Sequence, residues 1–168
     1  MPSCTCARLA SALRLWRRLA QPAEVAGHGW LVVHHGVGAK TLAQYVAIAK
    51  KSPGKLDYAS TGAGSASHLA DELLDQVAGI ETVHVPYKGG APALADLLAG
   101  RVAAYFSTWS TAQPHVEAGK LIPLASTGLT RPPFLPNIPT VAESGYPGVN
   151  ATNWYAFVAP ANVPQIVD

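Results

Sequence analysis

The chain has 168 residues, of which 49% are hydrophobic and 13% charged, with a formal net charge of +2. That length and apolar content suit one domain with a buried core and exclude a disordered chain. The charge excess is too small, and the basic residues too scattered among aromatics, to support a nucleic-acid partner, and no apolar run reaches the about 18 residues of a membrane helix.

Residues 1–30 differ in texture from the rest. Arg8, Arg14, Arg17 and Arg18 mix with Leu9, Leu13, Trp16 and Leu19, and no acidic residue precedes Glu24. As a helix this segment would be basic and amphipathic, suited to a membrane surface or a partner helix; as a poorly ordered leader it would have neither role. Arginines interrupt the apolar stretch that a secretory signal requires. Cys4 and Cys6, the only cysteines, suit neither a zinc finger nor a disulfide framework.

From Leu31 onward strands and helices alternate. Leu31–Val33 predicts a short buried strand. Lys40–Lys51 predicts a helix, with Leu42, Tyr45, Val46, Ile48 and Ala49 on one face, Thr41 as its cap and Ser52-Pro53-Gly54 as its stop. Gly36-Val37-Gly38-Ala39-Lys40-Thr41 imitates the end of a phosphate-binding loop, but Ala39 separates glycine from lysine and the earlier glycine is missing. His34 and His35 are neighbours on an extended segment, which would send their rings to opposite faces and away from a shared metal.

Lys55–Ala59 predicts the next strand, and Leu69, Leu73, Leu74 and Val77 recur at helical spacing before Gly79, a C-terminal cap. The turn between them, Ser60-Thr61-Gly62-Ala63-Gly64-Ser65-Ala66-Ser67-His68, is rich in glycine and hydroxyls. Gly62 and Gly64 permit positive φ, Ser65 or Ser67 can cap the helix, and open amides at its start suit a carboxylate or phosphate. Such turns also serve merely to reverse the chain, and both readings stand. The dinucleotide fingerprint fails at Ser67, and no serine lies in a G-x-S-x-G elbow. His68 and Asp71, at i and i+3, would be surface neighbours on one helix rather than members of a triad with Ser67.

Glu81–Val85 predicts a strand leading through Pro86-Tyr87-Lys88-Gly89-Gly90 into a helix over 91–99, with Pro92 near its start and Gly100 behind it. Here too Lys88 and the amides of Gly89 and Gly90 would face an anion, or the glycines serve only the turn. A strand over Val102–Phe106 and a third hydroxyl-capped start at Ser107-Thr108 precede a helix to Glu117 that Pro114 shapes or shortens. Leu121–Ser126 predicts another strand, 130–139 a proline-rich extended loop, Thr140–Glu143 a capping box opening a brief helix, and Asn153–Val158 a final strand. The alternation predicts an α/β fold with a mostly parallel sheet, helices on both faces, and ligand loops beyond the carboxyl ends of the strands.

Three stretches in order, Tyr58-Ala59-Ser60-Thr61-Gly62-Ala63-Gly64-Ser65-Ala66-Ser67-His68-Leu69-Ala70, Val83-His84-Val85-Pro86-Tyr87-Lys88-Gly89-Gly90-Ala91-Pro92-Ala93-Leu94 and Pro139-Thr140-Val141-Ala142-Glu143-Ser144-Gly145-Tyr146-Pro147-Gly148, resemble the solute-binding proteins of tripartite tricarboxylate transporters, the Bug receptors. The resemblance runs from about Leu31 to the end. It implies a type II periplasmic-binding-protein fold whose two α/β lobes close on a small organic carboxylate, a periplasmic location, a membrane permease as partner, and no catalytic residue, metal or cofactor. It implies that Ser60, Thr61, Gly62, Ala63, Gly64 and Ser65 close over a ligand carboxylate. Ser107 falls at a second ligand position, often aspartate where the ligand carries an amino group, so a neutral or dicarboxylic acid is expected. His68, Tyr87, Lys88 and Gly89 are expected as secondary ligand or hinge contacts.

Relatives carry a signal peptide and first-lobe segments that residues 1–30 do not match, and they continue beyond the equivalent of Asp168. The resemblance therefore implies a truncated chain: an unrelated leader over 1–30 and a substrate-binding lobe over 31–168 with a crossing segment from about 140 to 168. The first lobe is then largely missing and binding weak. Two other readings stand beside this one: an enzyme acting on a small phosphorylated or carboxylated metabolite, with Lys88 and His68 converging on the anion, and a non-functional gene fragment, not exported for want of a signal.

Overall fold

The computed structural model describes residues 24–133 and 135–156, so the expectations for residues 1–23 of the basic leader, for Cys4 and Cys6, and for the chain after Ala156 lie outside the described residues; the last part of the expected leader is described, with Glu24–His28 as a strand and Trp30 opening the next one. Gly27–Asn153 forms one compact unit, and residues 24–26 and 154–156 fall in a second. The elements are β1 (Glu24–His28), β2 (Trp30–His34), α1 (Leu42–Lys51), β3 (Asp57–Ser60), α2 (Ala66–Ala78), β4 (Val83–Pro86), α3 (Gly90–Leu98), β5 (Ala104–Ser107), α4 (Trp109–Glu117), β6 (Leu121–Ser126) and β7 (Thr152–Ala156). β1 and β7 pair with each other; the other strands form one sheet in the order β4-β3-β5-β2-β6.

β3 runs parallel to β4 and β5, whereas β2 is antiparallel to β5 and β6. Four strands of this sheet thus share a direction and β2 alone is reversed, as a mostly parallel sheet requires. The shared direction brings Ser60, Pro86 and Ser107, the last residues of β3, β4 and β5, to one edge of the sheet. The loops that follow them leave from that edge.

Alternation along the strands builds two apolar layers, because successive side chains point to opposite faces. Leu31 and Val33 join Tyr58 and Phe106 under α1 and α2, with Leu42, Tyr45, Val46, Ala70 and Leu74. Trp30 and Val32 join Ala59 and Tyr105 on the other face, under Ala93 and Leu97 of α3 and Ala112 of α4. Helices therefore cover both faces. Each fully buried leucine of these layers contributes about 1.5–3 kcal/mol.

The helix ends follow local chemistry. Thr41 Oγ1 accepts the Gln44 N–H at 3.2 Å to cap α1, and Gly79 closes α2 with φ 61°, a left-handed conformation that glycine adopts without strain. Thr108 occupies the cap position of α4 without making a capping bond; its hydroxyl lies 2.8 Å from that of Thr111. Pro114 sits inside α4, which still runs to Glu117.

Three expectations change. The helix after the glycine loop starts at Ala66, and its buried face is Ser67, Ala70, Asp71, Leu74 and Ala78, while Leu69 and Val77 are 57% and 38% exposed. Tyr45 and Tyr58 already fill the layer beneath α2 and leave room there for small side chains. Thr140 and Glu143 make both bonds of a capping box, Glu143 N–H to Thr140 Oγ1 at 3.0 Å and Thr140 N–H to Glu143 Oε2 at 2.9 Å, yet residues 141–145 form turns and no helix, because Gly145 and Pro147 stop propagation. His34 and His35 do not diverge: their rings meet at 4.1 Å, since the chain leaves the extended path for a 3-10 turn at His35 and Gly36 N–H bonds to His34 Nδ1. Among the described residues no group of three His, Cys, Asp or Glu side chains is placed to hold a metal.

Candidate functional site

Between Ser60 and Ala66 the loop organises itself through its own hydroxyls. Ser60 is fully buried; its Oγ accepts the Gly62 N–H at 3.1 Å and lies 3.2 Å from Gly62 O and 2.6 Å from His84 Nε2. Ser67, in the first turn of α2, reaches back: its Oγ accepts the Thr61 N–H at 3.0 Å and lies 3.3 and 3.0 Å from the Thr61 and Ser65 hydroxyls. Ser65 is the helix cap, its Oγ accepting the His68 N–H at 3.4 Å. Gly64 N–H donates to His68 Nδ1 at 3.1 Å, and Ser65 N–H to Gly62 O at 3.1 Å. Gly62 at φ 137° and Gly64 at φ 77° take conformations that require glycine.

Following each backbone donor to its acceptor locates what remains. The amides of Thr61, Gly62, Gly64, Ser65 and His68 are used inside the loop. Among the described residues nothing accepts from the N–H groups of Ala63, Ala66 and Ser67, and the last two are the first positions of α2. The helix dipole places a partial positive charge there. A small recess is lined by Gly29, Ala66, Ser67, Ala70, Phe106 and Ala151, and so includes two of these donor residues, Ala66 and Ser67, but not Ala63.

The second loop touches the first. Tyr87 N–H donates to Ser60 O at 3.0 Å, and a Cβ on Gly62 would stand 3.6 Å from Tyr87 O. The Tyr87 hydroxyl turns away to Asp96 Oδ2 at 2.8 Å, where Arg101 holds the other carboxylate oxygen, also at 2.8 Å. Gly89, at φ 116°, precedes α3. Lys88 is exposed and makes no ion pair among the described residues, and His68 is engaged by Gly64 and by a neighbouring ring, so no contact links the two residues of the enzyme reading. Ser107 is buried, its Oγ donating to the Thr108 carbonyl at 3.1 Å, and it is not among the residues that line the recess.

Behind the loop stand two histidines. His68 and His84 stack at 4.0 Å, and Tyr58 stacks on His84 at 5.1 Å. The Tyr58 hydroxyl donates to Glu72 Oε1 at 2.6 Å, and that oxygen lies 3.6 Å from His68 Nε2. Burial, then the neighbouring His68, pushes His84 below the ordinary histidine value. Burial and the bond to Glu72 push the Tyr58 phenol up, so it stays protonated.

The sequence announces open amides at this helix start but not which of them stay open, nor the role of His84. An amide carries no mark of residue type, and His84 meets Ser60 only through the β3–β4 register, which pairs Tyr58 with His84 and Ser60 with Pro86.

A sheet with one reversed strand among parallel ones and helices on both faces is the architecture this chain shares with solved periplasmic binding proteins. The protein titled "periplasmic binding protein BugD" shares it with a TM-score of 0.78 at 30% identity, over 86% of this chain and 48% of that one. An R. palustris protein solved with adipate gives 0.79 at 36% identity, over 83% and 47%. MatC from Rhodopseudomonas palustris with bound malate gives 0.75 at 25% identity, over 88% and 49%. A sequence profile described as "Tripartite tricarboxylate transporter family receptor" matches residues 17–168, and this chain belongs to that family. The match begins upstream of Leu31, where the motif resemblance begins. The chain spans about half the length of these solved relatives and about two-fifths of the curated relatives it matches.

Proposed function

We propose that this chain supplies one lobe's share of a receptor site for a small dicarboxylic acid, in the periplasm, for delivery to a membrane permease of a tripartite transport system. The Ser60–Ser65 loop is held by bonds within it and to Ser67, His68 and His84, and the N–H groups of Ala63, Ala66 and Ser67 receive one carboxylate of the ligand. Ser107, the last residue of β5 at the same edge of the sheet, is a further candidate contact for the ligand. Residues 31–168 are the binding lobe in this reading, and binding proceeds without chemistry. The donors without acceptors, those of Ala66 and Ser67 at the helix start and that of Ala63 in the loop before it, carry the proposal; the relatives solved with adipate and with malate support the ligand class.

Hydrogen bonds to a charged group contribute about 1.5–3 kcal/mol each when water is excluded. Ala63 and Gly64 are exposed, so much of that advantage is lost to hydration. Dissociation constants in the millimolar range are expected, about 4 kcal/mol of binding. The test is a two-dimensional amide NMR titration with adipate, with malate and with the neutral diamide of adipate. The acids are expected to shift the Ala63, Ala66 and Ser67 amides saturably and the diamide to leave them in place. Saturable shifts clustered elsewhere, or equal shifts with the diamide, would refute the site.

A further inference from the structure

The shape of the loop depends on two imidazoles from different elements. His68, in the first turn of α2, accepts the Gly64 N–H on Nδ1 at 3.1 Å. A backbone N–H only donates, so Nδ1 carries a lone pair, and the neutral ring holds its proton on Nε2, 3.6 Å from Glu72 Oε1. His84, on β4, places Nε2 2.6 Å from Ser60 Oγ, the atom that accepts the Gly62 N–H at 3.1 Å. One imidazole thus anchors Gly64 directly and the other anchors Gly62 through Ser60.

We propose that His68 and His84 are positioning residues for the carboxylate loop, and that His68 acts only as a neutral acceptor, so that its protonation sets an N–H against the Gly64 N–H and releases the Gly62–Gly64 segment. The effect on binding rests on the carboxylate reading given above; the effect on the loop does not. The groups facing the pair are Tyr58 from β3, at 6.4 Å from His68 and 5.1 Å from His84, and Glu72 from α2, with Ser60 on the His84 side. The rings are 4.0 Å apart, so two positive charges on the pair would repel. His84 is the harder one to charge, because burial and its neighbour hold it below the ordinary histidine value.

The experiment uses the full chain without ligand, following the imidazole nitrogens and the Gly62 and Gly64 amides by NMR from about pH 8 to about pH 5, across the ordinary histidine range. At the upper end His68 is expected as the Nε2–H tautomer. The Gly64 amide is expected to titrate with the midpoint of the His68 ring and to lose about tenfold in protection from hydrogen exchange, the scale of one hydrogen bond. His68→Asn, whose Oδ1 stands where Nδ1 does, should keep Gly64 protected across the whole range, and His68→Leu should lose that protection at every pH. His84→Leu should lose protection at Gly62, where His84→Gln retains it. A Gly64 amide that ignores the His68 titration, or that stays protected in His68→Leu, overturns the assignment of His68. Protection at Gly62 that survives His84→Leu overturns that of His84.

Adipate titrations at both pH values complete the test. Affinity of the natural chain is expected to fall about tenfold on acidification, and that of His68→Asn to stay within about twofold. Adipate that binds at neither pH would sink the carboxylate reading, while the ligand-free Gly62 and Gly64 measurements still decide the positioning role.

Discussion

Replacing Asp71 by asparagine is expected to stabilise the fold at neutral pH, and less so as the pH falls. Asp71 is 2% exposed, on the face of α2 that packs on the sheet, and its Oδ2 has no partner among the described residues. Burial, then the charges of Asp75 and Glu72, pushes its carboxyl well above the usual carboxylate range, so the folded chain carries it as a neutral acid. The unfolded chain ionises it above about pH 4. Between that pH and the raised folded value the unfolded state binds fewer protons. The contribution of protonated Asp71 to stability is therefore complete below about pH 4 and is lost as the pH climbs toward the folded-state value. An unsatisfied buried polar group costs about 1–3 kcal/mol. Asparagine keeps the shape and an unmet hydrogen bond but cannot ionise, so the expected gain grows by about 1.4 kcal/mol for each pH unit above about 4 for as long as the folded chain keeps the acid protonated. Urea unfolding of both proteins at several pH values from about 4 to about 8 measures it, with equal m-values as the condition for reading the midpoints as stability. A variant that is less stable at neutral pH, or whose advantage does not shrink toward acid, would refute the neutral buried acid.

Three further outcomes test the packing. Leu74→Ala is expected to cost about 2–5 kcal/mol and Leu69→Ser less than about 0.5 kcal/mol in urea unfolding, although the spacing puts both on one helical stripe; equal costs would mean that the buried face of α2 is misassigned. Gly79→Ala should cost about 1 kcal/mol through backbone strain alone, since nothing lies within 4 Å of the new methyl, and Gly79→Asn should recover part of it because asparagine tolerates the left-handed conformation. Thr140→Ala and Glu143→Ala should each lower the urea midpoint, and the double variant by less than the sum of the two, because the two side chains complete one reciprocal motif. Strict additivity in a double-mutant cycle would contradict that coupling.

Much of the architecture was legible because it rests on short-range signals. Thr41, Gly79 and Gly100 mark helix ends by chemistry that acts within one turn, and the unbroken apolar run Leu31–Val33 announces a buried strand. The reversed direction of β2 was not legible, since strand polarity depends on which distant segments pair. Nor was the buried face of α2: Leu69, Leu73 and Val77 set the helical period, but Tyr45 and Tyr58 arrive from other elements to fill the space that leucines would otherwise occupy. At the site, the glycines and hydroxyls of 60–67 announced a helix start ready for an anion. Which amides stay open was hidden, because Ser60, Ser65, Ser67 and His68 use most of them internally.

By itself the sequence determined the element order from β2 to β6, the caps at Thr41 and Gly79, the three loops at one edge and, through their motifs together, the family. Those properties depend on residue type and on spacing within a few residues. The tertiary structure decided which strands run parallel, that Asp71 is buried without a partner, and that His84 meets Ser60. It also decided that the donors left open are those of Ala63, Ala66 and Ser67 rather than the whole Ser60–Ser65 loop. Each of these is a matter of which groups, distant in sequence, share a few ångströms, and only the paired sheet with its packed helices sets that distance.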